Sequence, residues 1–215
     1  MSTHHHHDHD HHDHDHAHPT LPEQDGALTY HQRLEIAVRE LLIEKGILTP
    51  DEVRRAIEAM DARSPALGAR VVARAWSDPA YRKRLLADPR GAVQELGIDP
   101  GVTRLIVVEN TERLHNLVVC TLCSCYPRAV LGLPPDWYKS RAYRSRAVRE
   151  PRAVLGEFGT KVPDDVEVRV HDSTADMRYL VLPKRPKGTE GWSEEKLAQI
   201  ATRDTMIGAA EARVS

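Results

Sequence analysis

Three cysteines lie within six residues of one another, in the segment Val119-Cys-Thr-Leu-Cys-Ser-Cys-Tyr126. Thiolates at Cys120, Cys123 and Cys125 are close enough in sequence to reach a single metal ion. They are also too close together to act as long-range covalent crosslinks, and the chain has no other cysteine. A secreted disulfide scaffold is therefore excluded.

Three kinds of site fit this spacing. A structural zinc site commonly takes a fourth ligand from a second pair of cysteines, which this chain lacks. A thioredoxin-like dithiol needs only Cys120 and Cys123 and opens a helix, whereas Pro127 disfavours a helix start here. In the third kind, a metal bound by the sulfurs of Cys123 and Cys125 is also within chelate reach of the amide nitrogens of Ser124 and Cys125.

The third kind of site indicates a trivalent metal. Two sulfurs and two amide nitrogens would lie in one plane, Cys120 would supply an axial sulfur, and the sixth position would stay open. Amide nitrogens bind a metal only when deprotonated, which requires a strongly Lewis-acidic ion, and a tetragonal set of nitrogen and sulfur ligands argues against zinc. Trivalent cobalt or iron fits, and such an ion can polarise a substrate or acidify water.

The elements around this segment change in type along the chain. Residues 28–97 have helical periodicity interrupted by Asp78-Pro79 and Asp88-Pro89. They predict a helix from near Leu28 to the stop at Gly46, a second from the Thr49-Pro50 start to about Arg63, and shorter helices at 66–76, 79–86 and 89–96. Two apolar runs, 105–108 and 117–119, predict buried strands, and the cysteines directly follow the second run.

The remainder of the chain mixes helix and strand. Pro134-Pro135 predicts a turn and a short helix, and residues 143–158 predict a helix that Pro151 bends or splits. Alternating valines at 166–170 predict a half-exposed strand with 179–182 as its partner, and Ser193 caps a last helix. We therefore predict an α+β fold with a disordered tail and linker at 1–27, a helical arm at 28–98 and a metal-binding catalytic domain at 99–215.

The N-terminal tail is a second concentration of metal-binding side chains. Ten histidines, four aspartates and one alanine make up residues 4–18, and the interleaved aspartates differ from an ordinary purification tag. Imidazoles and carboxylates on a flexible segment bind divalent metals loosely. When the four tail aspartates are left out, the chain has 28 of its 32 acidic residues and 30 lysines and arginines. This near balance gives no reason to expect a nucleic-acid partner.

The sequence also bears on location. It contains no apolar run of about 18 residues, and its N-terminus lacks the apolar core of a secretory signal. We therefore expect no membrane partner. Three cysteines that stay reduced unless they bind a metal predict a cytoplasmic protein.

The cysteine segment resembles the metal-binding loop of the nitrile hydratase alpha subunit. The resemblance extends from Leu28 to Gly208 and implies a layered α-β-β-α domain. In the family, Thr121 and Tyr126 accompany cobalt, which implies low-spin Co(III), with Fe(III) as the less favoured ion. Further motifs that carry the resemblance are Glu109-Asn-Thr111, Leu131-Gly-Leu-Pro-Pro135, Trp137-Tyr-Lys139, Tyr143-Arg-Ser-Arg146, Arg149-Glu-Pro-Arg152 and Gly188-Thr-Glu-Gly-Trp192.

The resemblance also implies a mechanism. Cys123 would be oxidised to the sulfinic and Cys125 to the sulfenic acid, leaving Cys120 as the thiolate. The sulfenate oxygen or a metal-activated water would attack the nitrile carbon, and the product is an amide. Ser124 and Tyr126 complete the predicted catalytic set, Ser124 through its metal-binding amide. For Tyr126, a hydrogen bond near the metal and a packing role in the core or an interface are both consistent with the sequence.

The resemblance implies partners as well. Arginines of a beta subunit would hydrogen-bond the oxidised sulfurs in a heterodimer or heterotetramer, so we expect this chain alone to be inactive. A small nitrile would be the substrate, and an activator protein would load the cobalt.

Two other functions stay open. Many nitrile hydratases have tryptophan at the position of Arg128 and glutamine near that of Gly101. The gamma subunit of thiocyanate hydrolase has Cys-Tyr-Pro-Arg, with its arginine facing an anionic substrate. Arg128 is therefore a candidate substrate contact, or else part of an ion pair between subunits. The other alternative is a non-catalytic metal-binding or assembly protein that acts through its tail.

Overall fold

A computed structural model describes residues 28–214, so the predicted tail and linker at 1–27 lie outside the described residues. The chain divides into two compact units, Met1–Pro50 and Asp51–Ser215. Helices and strands are mixed in the second unit, which confirms the predicted α+β class. Within the described range, no helix combines the length and the apolarity needed to cross a membrane.

The first unit contains helix α1, Tyr30–Glu44, where the sequence predicts a helix. A capping box starts it: the Gln32 backbone N–H donates to Thr29 Oγ1, and the Thr29 backbone N–H donates to Gln32 Oε1. After the helix, Gly46 takes a φ of +66°, which glycine adopts without strain.

Each of the next four helices begins at a proline, and an aspartate caps the last two of them. Asp78 accepts hydrogen bonds from the backbone of Ala80 and Tyr81, and Asp88 accepts one from Gly91. Each aspartate precedes a proline at the first helical position, where no N–H is needed. The helices are α2 (Pro50–Asp61), α3 (Pro65–Ser77), α4 (Pro79–Ala87) and α5 (Pro89–Glu95).

Four strands form two parallel pairs. They are β1 (Arg104–Glu109), β2 (Leu114–Val119), β3 (Glu167–Asp172) and β4 (Met177–Leu182). β1 pairs with β4, and β2 pairs with β3. The predicted pairing of the third and fourth strands with each other was wrong. Its reason lies in burial: β3 is half-exposed, whereas Leu180–Leu182 of β4 are buried and take a place that is covered on both faces.

Helices cover the two strand pairs from opposite sides. α4 and α5 contact β1, and β2 lies against β4. The remaining helices are α6 (Arg128–Leu131), α7 (Asp136–Lys139), α8 (Arg141–Arg149), α9 (Pro151–Glu157), α10 (Glu194–Ile200) and α11 (Arg203–Met206). α8 contacts β2, α9 contacts β3 and α11 contacts β4, which gives the layered α-β-β-α arrangement. Pro151 separates α8 from α9 as predicted, whereas α6 and α11 were not predicted.

One hydrophobic core joins helices α3 to α5 with the strands. Val71 and Val72 of α3 and Leu85 of α4 are fully buried in the same cluster as Leu117 and Leu180. Helices α3 to α5 thus share a core with the strands, and the predicted division at 98/99 stays a prediction. Helical periodicity in a sequence reports the local element and not the core to which its apolar face belongs.

We predict that Gly208→Ala strongly destabilises the fold. Gly208 has a φ of +80°, and a Cβ atom there would lie 1.8 Å from the carbonyl oxygen of Asn116 in β2. We expect the free energy of unfolding, measured by urea denaturation, to fall by more than about 3 kcal/mol. The control is Gly156→Ala in α9, where a Cβ meets nothing within 4 Å. It should stabilise by about 0.5 to 1 kcal/mol, and equal denaturation midpoints for the two variants would contradict the prediction.

Candidate metal centre

The three cysteines meet directly after the last residue of β2, Val119. Their Sγ atoms all lie within 4.8 Å of one another, close enough to hold one metal ion. The distance is 3.5 Å from Cys120 to Cys123 and 3.3 Å from Cys123 to Cys125. Cys120 is buried, Cys125 is half-buried and Cys123 is exposed. One side of the cluster therefore faces the core and the other faces solvent.

The sulfur–sulfur distances test which ion these donors fit. Two sulfurs bound to one ion at about 2.3 Å lie about 3.3 Å apart at right angles and about 3.8 Å apart in a tetrahedron. The 3.3 Å between Cys123 and Cys125 matches the right-angle value, and the 3.5 Å between Cys120 and Cys123 lies midway between the two values. In the described part of the chain, the cluster also includes no histidine or carboxylate as a fourth ligand. The donor set therefore fits a tetragonal or octahedral ion better than structural zinc.

Two side chains from distant elements hold the segment between Cys120 and Cys123. The parallel register places Asp172 of β3 opposite Val119. The Asp172 carboxylate accepts hydrogen bonds from the backbone N–H of Thr121 at 2.9 Å and from its hydroxyl at 2.5 Å. Arg144 of α8 donates to the carbonyl oxygen of Leu122 at 2.9 Å.

Asp172 and Arg144 were absent from the predicted site residues. Arg144 lies in a motif of the family resemblance, but a motif does not say what its side chain binds. Asp172 gave no sequence signal beyond its place near the end of a predicted strand. Both positions become informative only when β3 and α8 are packed around β2.

Hydrogen bonds and burial give the thiols of Cys123 and Cys125 different pKa values. Those from the thiols of Cys125 and Cys120, together with the backbone N–H of Ser124, lower the pKa of Cys123 to about 7. Burial raises the pKa of Cys125 to about 12, and its hydrogen bond with Cys123 adds to the rise. Cys123 is therefore more readily ionised than Cys125, and the thiolate is the form that binds metals and reacts with oxidants.

Two buried tyrosines support the loop from below. Tyr138 of α7 is fully buried and its hydroxyl donates to the carbonyl oxygen of Cys125 at 2.8 Å. Tyr126 packs edge-to-face against Tyr138 with ring centroids 5.0 Å apart. Among the described residues, the buried hydroxyl of Tyr126 has no hydrogen-bond partner, and burial raises its pKa above the usual range. The structure thus places Tyr126 in the core, and its predicted hydrogen bond near the metal stays a prediction.

The loop opens onto a cleft of about 380 Å³, which we call the cysteine cleft. Arg128, the first residue of α6, lines it, and so does Gly101. Gly101 and Arg128 are 27 residues apart in the sequence, and both line the same cleft as the cysteine loop. The residues that line the cysteine cleft are Arg63, Pro100, Gly101, Val102, Thr103, Cys123, Ser124, Cys125, Tyr126, Arg128, Ala129 and Arg178.

Comparisons of sequence agree with this site. A family model described as nitrile hydratase, alpha chain, matches residues 29–210. The chain is 53% identical over 181 residues to the cobalt-containing nitrile hydratase subunit alpha of Pseudonocardia thermophila, covering 82% of this chain and 88% of that one. It is 44% identical over 189 residues to the thiocyanate hydrolase subunit gamma of Thiobacillus thioparus, covering 82% and 78%.

Solved structures show the same architecture. A crystal structure of a thiocyanate hydrolase variant matches with a TM-score of 0.82 and 42% identity, covering 87% of this chain and 92% of that one. A variant of the Fe-type nitrile hydratase from Comamonas testosteroni Ni1 matches with a TM-score of 0.77 and 42% identity, covering 85% and 89%. The fold thus defines a class of chains shared with nitrile hydratase and thiocyanate hydrolase, and this chain carries three clustered cysteines within that fold. Within that class, this chain belongs to the nitrile hydratase alpha-chain family.

We predict that Asp172→Ala weakens metal retention, because the backbone N–H and the hydroxyl of Thr121 then lose their shared acceptor. Metal content per chain, measured by elemental analysis after loading at limiting metal, should fall by about threefold or more. The matched control is Asp176→Ala, which changes an exposed aspartate four residues later. The hydrogen bonds that Asp176 makes in the described structure use its backbone N–H and carbonyl oxygen. Equal metal content in the two variants would contradict a positioning role for Asp172.

Proposed function

We propose that this chain is the alpha subunit of a cobalt nitrile hydratase, which hydrates a nitrile to the amide at a low-spin Co(III) centre. The observation that carries the proposal is the cluster of three sulfurs after β2, in a chain of the nitrile hydratase alpha-chain family. Relatives named as cobalt-containing, from Pseudonocardia thermophila and Rhodococcus rhodochrous at 53% and 51% identity, favour cobalt over Fe(III).

The ligands in this proposal come from one loop. They are the sulfurs of Cys120, Cys123 and Cys125 and the amide nitrogens of Ser124 and Cys125. A trivalent ion bound there supplies Lewis acidity, which polarises a nitrile and acidifies water. Because Cys123, Ser124 and Cys125 line the cysteine cleft and Cys120 is buried behind them, substrate would approach from the cleft.

Exposure and acidity support the proposed oxidation of two of the three sulfurs, for which the oxidant is dioxygen from solution. Cys123 is the most exposed thiol and has the lowered pKa, which fits the higher oxidation state, a sulfinic acid. Cys125 is half-buried and would stop at the sulfenic acid, and the buried Cys120 would remain a thiolate.

The chain's own groups have defined tasks in the proposed reaction. The Cys125 sulfenate presents its oxygen to the nitrile carbon or orients the attacking water, and one water is consumed for each amide formed. Ser124 would supply its amide nitrogen as a metal ligand, and Tyr126 closes the floor of the cleft beside Cys125. Tyr138 fixes the backbone of Cys125 through the hydrogen bond to its carbonyl oxygen.

Exposed apolar side chains beside the cysteines favour a partner that covers the site. Leu122 in the loop is 87% exposed, and Val102 on the cleft wall is fully exposed. Apolar side chains left in water next to a reactive centre are typical of a surface that another chain buries. The proposed partner is a beta subunit, in a heterodimer or heterotetramer. A cobalt-loading activator protein and a cytoplasmic location stay predictions.

Two alternatives remain. Arg128 in the cysteine cleft and the 44% identical gamma subunit favour thiocyanate hydrolysis as the second candidate. A metal-binding or assembly protein that acts through residues 4–18 is the other. Loading of cobalt by the tail is tested by comparing cobalt occupancy with and without these residues at limiting cobalt.

The function is tested by purifying the chain with its beta subunit and assaying a nitrile and thiocyanate in parallel. We expect amide formation from the nitrile and no turnover of thiocyanate. The isolated, cobalt-loaded chain should be inactive, because the exposed face around Leu122 is then uncovered. Thiocyanate turnover without amide formation would replace the proposal by its second candidate, and full activity of the isolated chain would contradict the role of the partner.

The oxidation pattern is tested by mass spectrometry of the peptide that contains the loop. We expect two added oxygens on Cys123, one on Cys125 and none on Cys120 in the cobalt-loaded complex. Cys120→Ser provides the control: losing one metal-binding sulfur should lower cobalt content, and oxidation of the other two sulfurs should fall with it. An unoxidised loop in a fully active complex would contradict the proposed role of Cys125.

A further inference from the structure

Arg144 of α8 reaches the cysteine loop without lining the cysteine cleft. Its Nη1 donates to the carbonyl oxygen of Leu122 at 2.9 Å and to that of Thr121 at 3.4 Å. Leu122 directly precedes Cys123, so the guanidinium lies beside the ligands of the proposed metal centre. Because Arg144 is half-buried and lies outside the open cleft, water screens its charge less than a charge on the cleft wall.

No carboxylate neutralises Arg144 within residues 28–214. In that range its side chain contacts backbone carbonyl groups and forms no ion pair. Its buried Nε has no hydrogen-bond partner there. Asp172, the carboxylate that also holds the loop, accepts its hydrogen bonds from Thr121 and is not paired with Arg144. A half-buried cation without a counter-ion is costly, which indicates that an anionic group completes the site.

The ligand set of the proposed function carries such a negative charge. Three sulfurs and two deprotonated amide nitrogens bring five negative charges against three positive charges of the ion, which leaves about −2 on the centre. Oxidation does not change this total, because a sulfinate and a sulfenate each carry one negative charge, as a thiolate does. Arg128 and Arg178 line the open cleft, where water screens their charges more strongly.

We infer that Arg144 is a positioning residue of the metal centre, and that its positive charge stabilises the negative charge of that centre. This inference rests on the proposed function, because the charge follows from the proposed ligand set. Reduction of a trivalent ion makes the centre more negative by one charge. A nearby cation therefore stabilises the reduced centre more than the oxidised one and raises the reduction potential.

The experiment measures the Co(III)/Co(II) reduction potential of the cobalt-loaded complex with its beta subunit, by a redox titration followed through the absorption spectrum. Arg144→Gln removes the charge and keeps an N–H donor for the loop carbonyls, whereas Arg144→Lys keeps both. We expect Arg144→Gln to shift the reduction equilibrium about tenfold toward the oxidised ion, a fall of about 59 mV for a one-electron couple. Arg144→Lys should stay near the wild-type potential.

The matched control is Arg146→Gln. Arg146 lies on the same helix and is also half-buried, but it pairs with Glu150 and Glu157. Its loss should leave the potential unchanged, because two carboxylates already offset its charge. Equal potentials in the wild type and Arg144→Gln would overturn the inference. Equal shifts in Arg144→Gln and Arg144→Lys would also overturn it, because the cause would then be the hydrogen-bond geometry and not the charge.

Cobalt content per chain gives the readout if Arg144→Gln binds too little cobalt for a titration. Loss of cobalt in Arg144→Gln with retention in Arg144→Lys would support a role for the charge. Equal loss in both variants would contradict it.

These outcomes separate the inference from the proposed function. Hydration of a nitrile with a potential unchanged by Arg144→Gln would overturn the inference and leave the function standing. A lowered potential in Arg144→Gln, in a complex that hydrates no nitrile, would do the reverse. A complex without a trivalent metal would overturn both.

Discussion

The pairing of β2 with β3 determines where the cysteine loop begins, and the rest of the site depends on it. Val119 ends β2 opposite Asp172, so the Asp172 carboxylate meets the first residues of the loop. The opposite side of β2 is fixed as well, because Val118 N–H donates to Ile207 and Gly208 packs against the strand. A strand held from both sides gives the three sulfurs a fixed base.

The three cysteine side chains of the loop differ in how far they are buried. The sulfur nearest the strand is buried, the last is half-buried and the middle one is exposed. The three thiols therefore differ in access, and Cys123 and Cys125 also differ in acidity; access and acidity are the properties that control oxidation. Leu122, next to the exposed Cys123, also lies in solvent. The side of the loop that reacts is therefore also the side that a partner chain would cover.

Charge distinguishes this cleft from an ordinary apolar pocket. Arginines reach it from three parts of the chain: the segment before α3, the start of α6 and β4. Backbone carbonyls hold one of them without neutralising it.

The sequence by itself determined the features that neighbouring residues decide. Three cysteines within six residues meet because the chain between them is short, and the Asp-Pro pairs start helices because each aspartate caps the N–H groups next to it. Only the tertiary structure decided which strands pair and which distant side chains reach the loop. Asp172 is 51 residues from Thr121, and no local pattern distinguishes it from other exposed aspartates. Asp172 and Arg144 reach the loop because burial of apolar strand residues selects the packing of the elements. That packing then places polar side chains that had no part in selecting it.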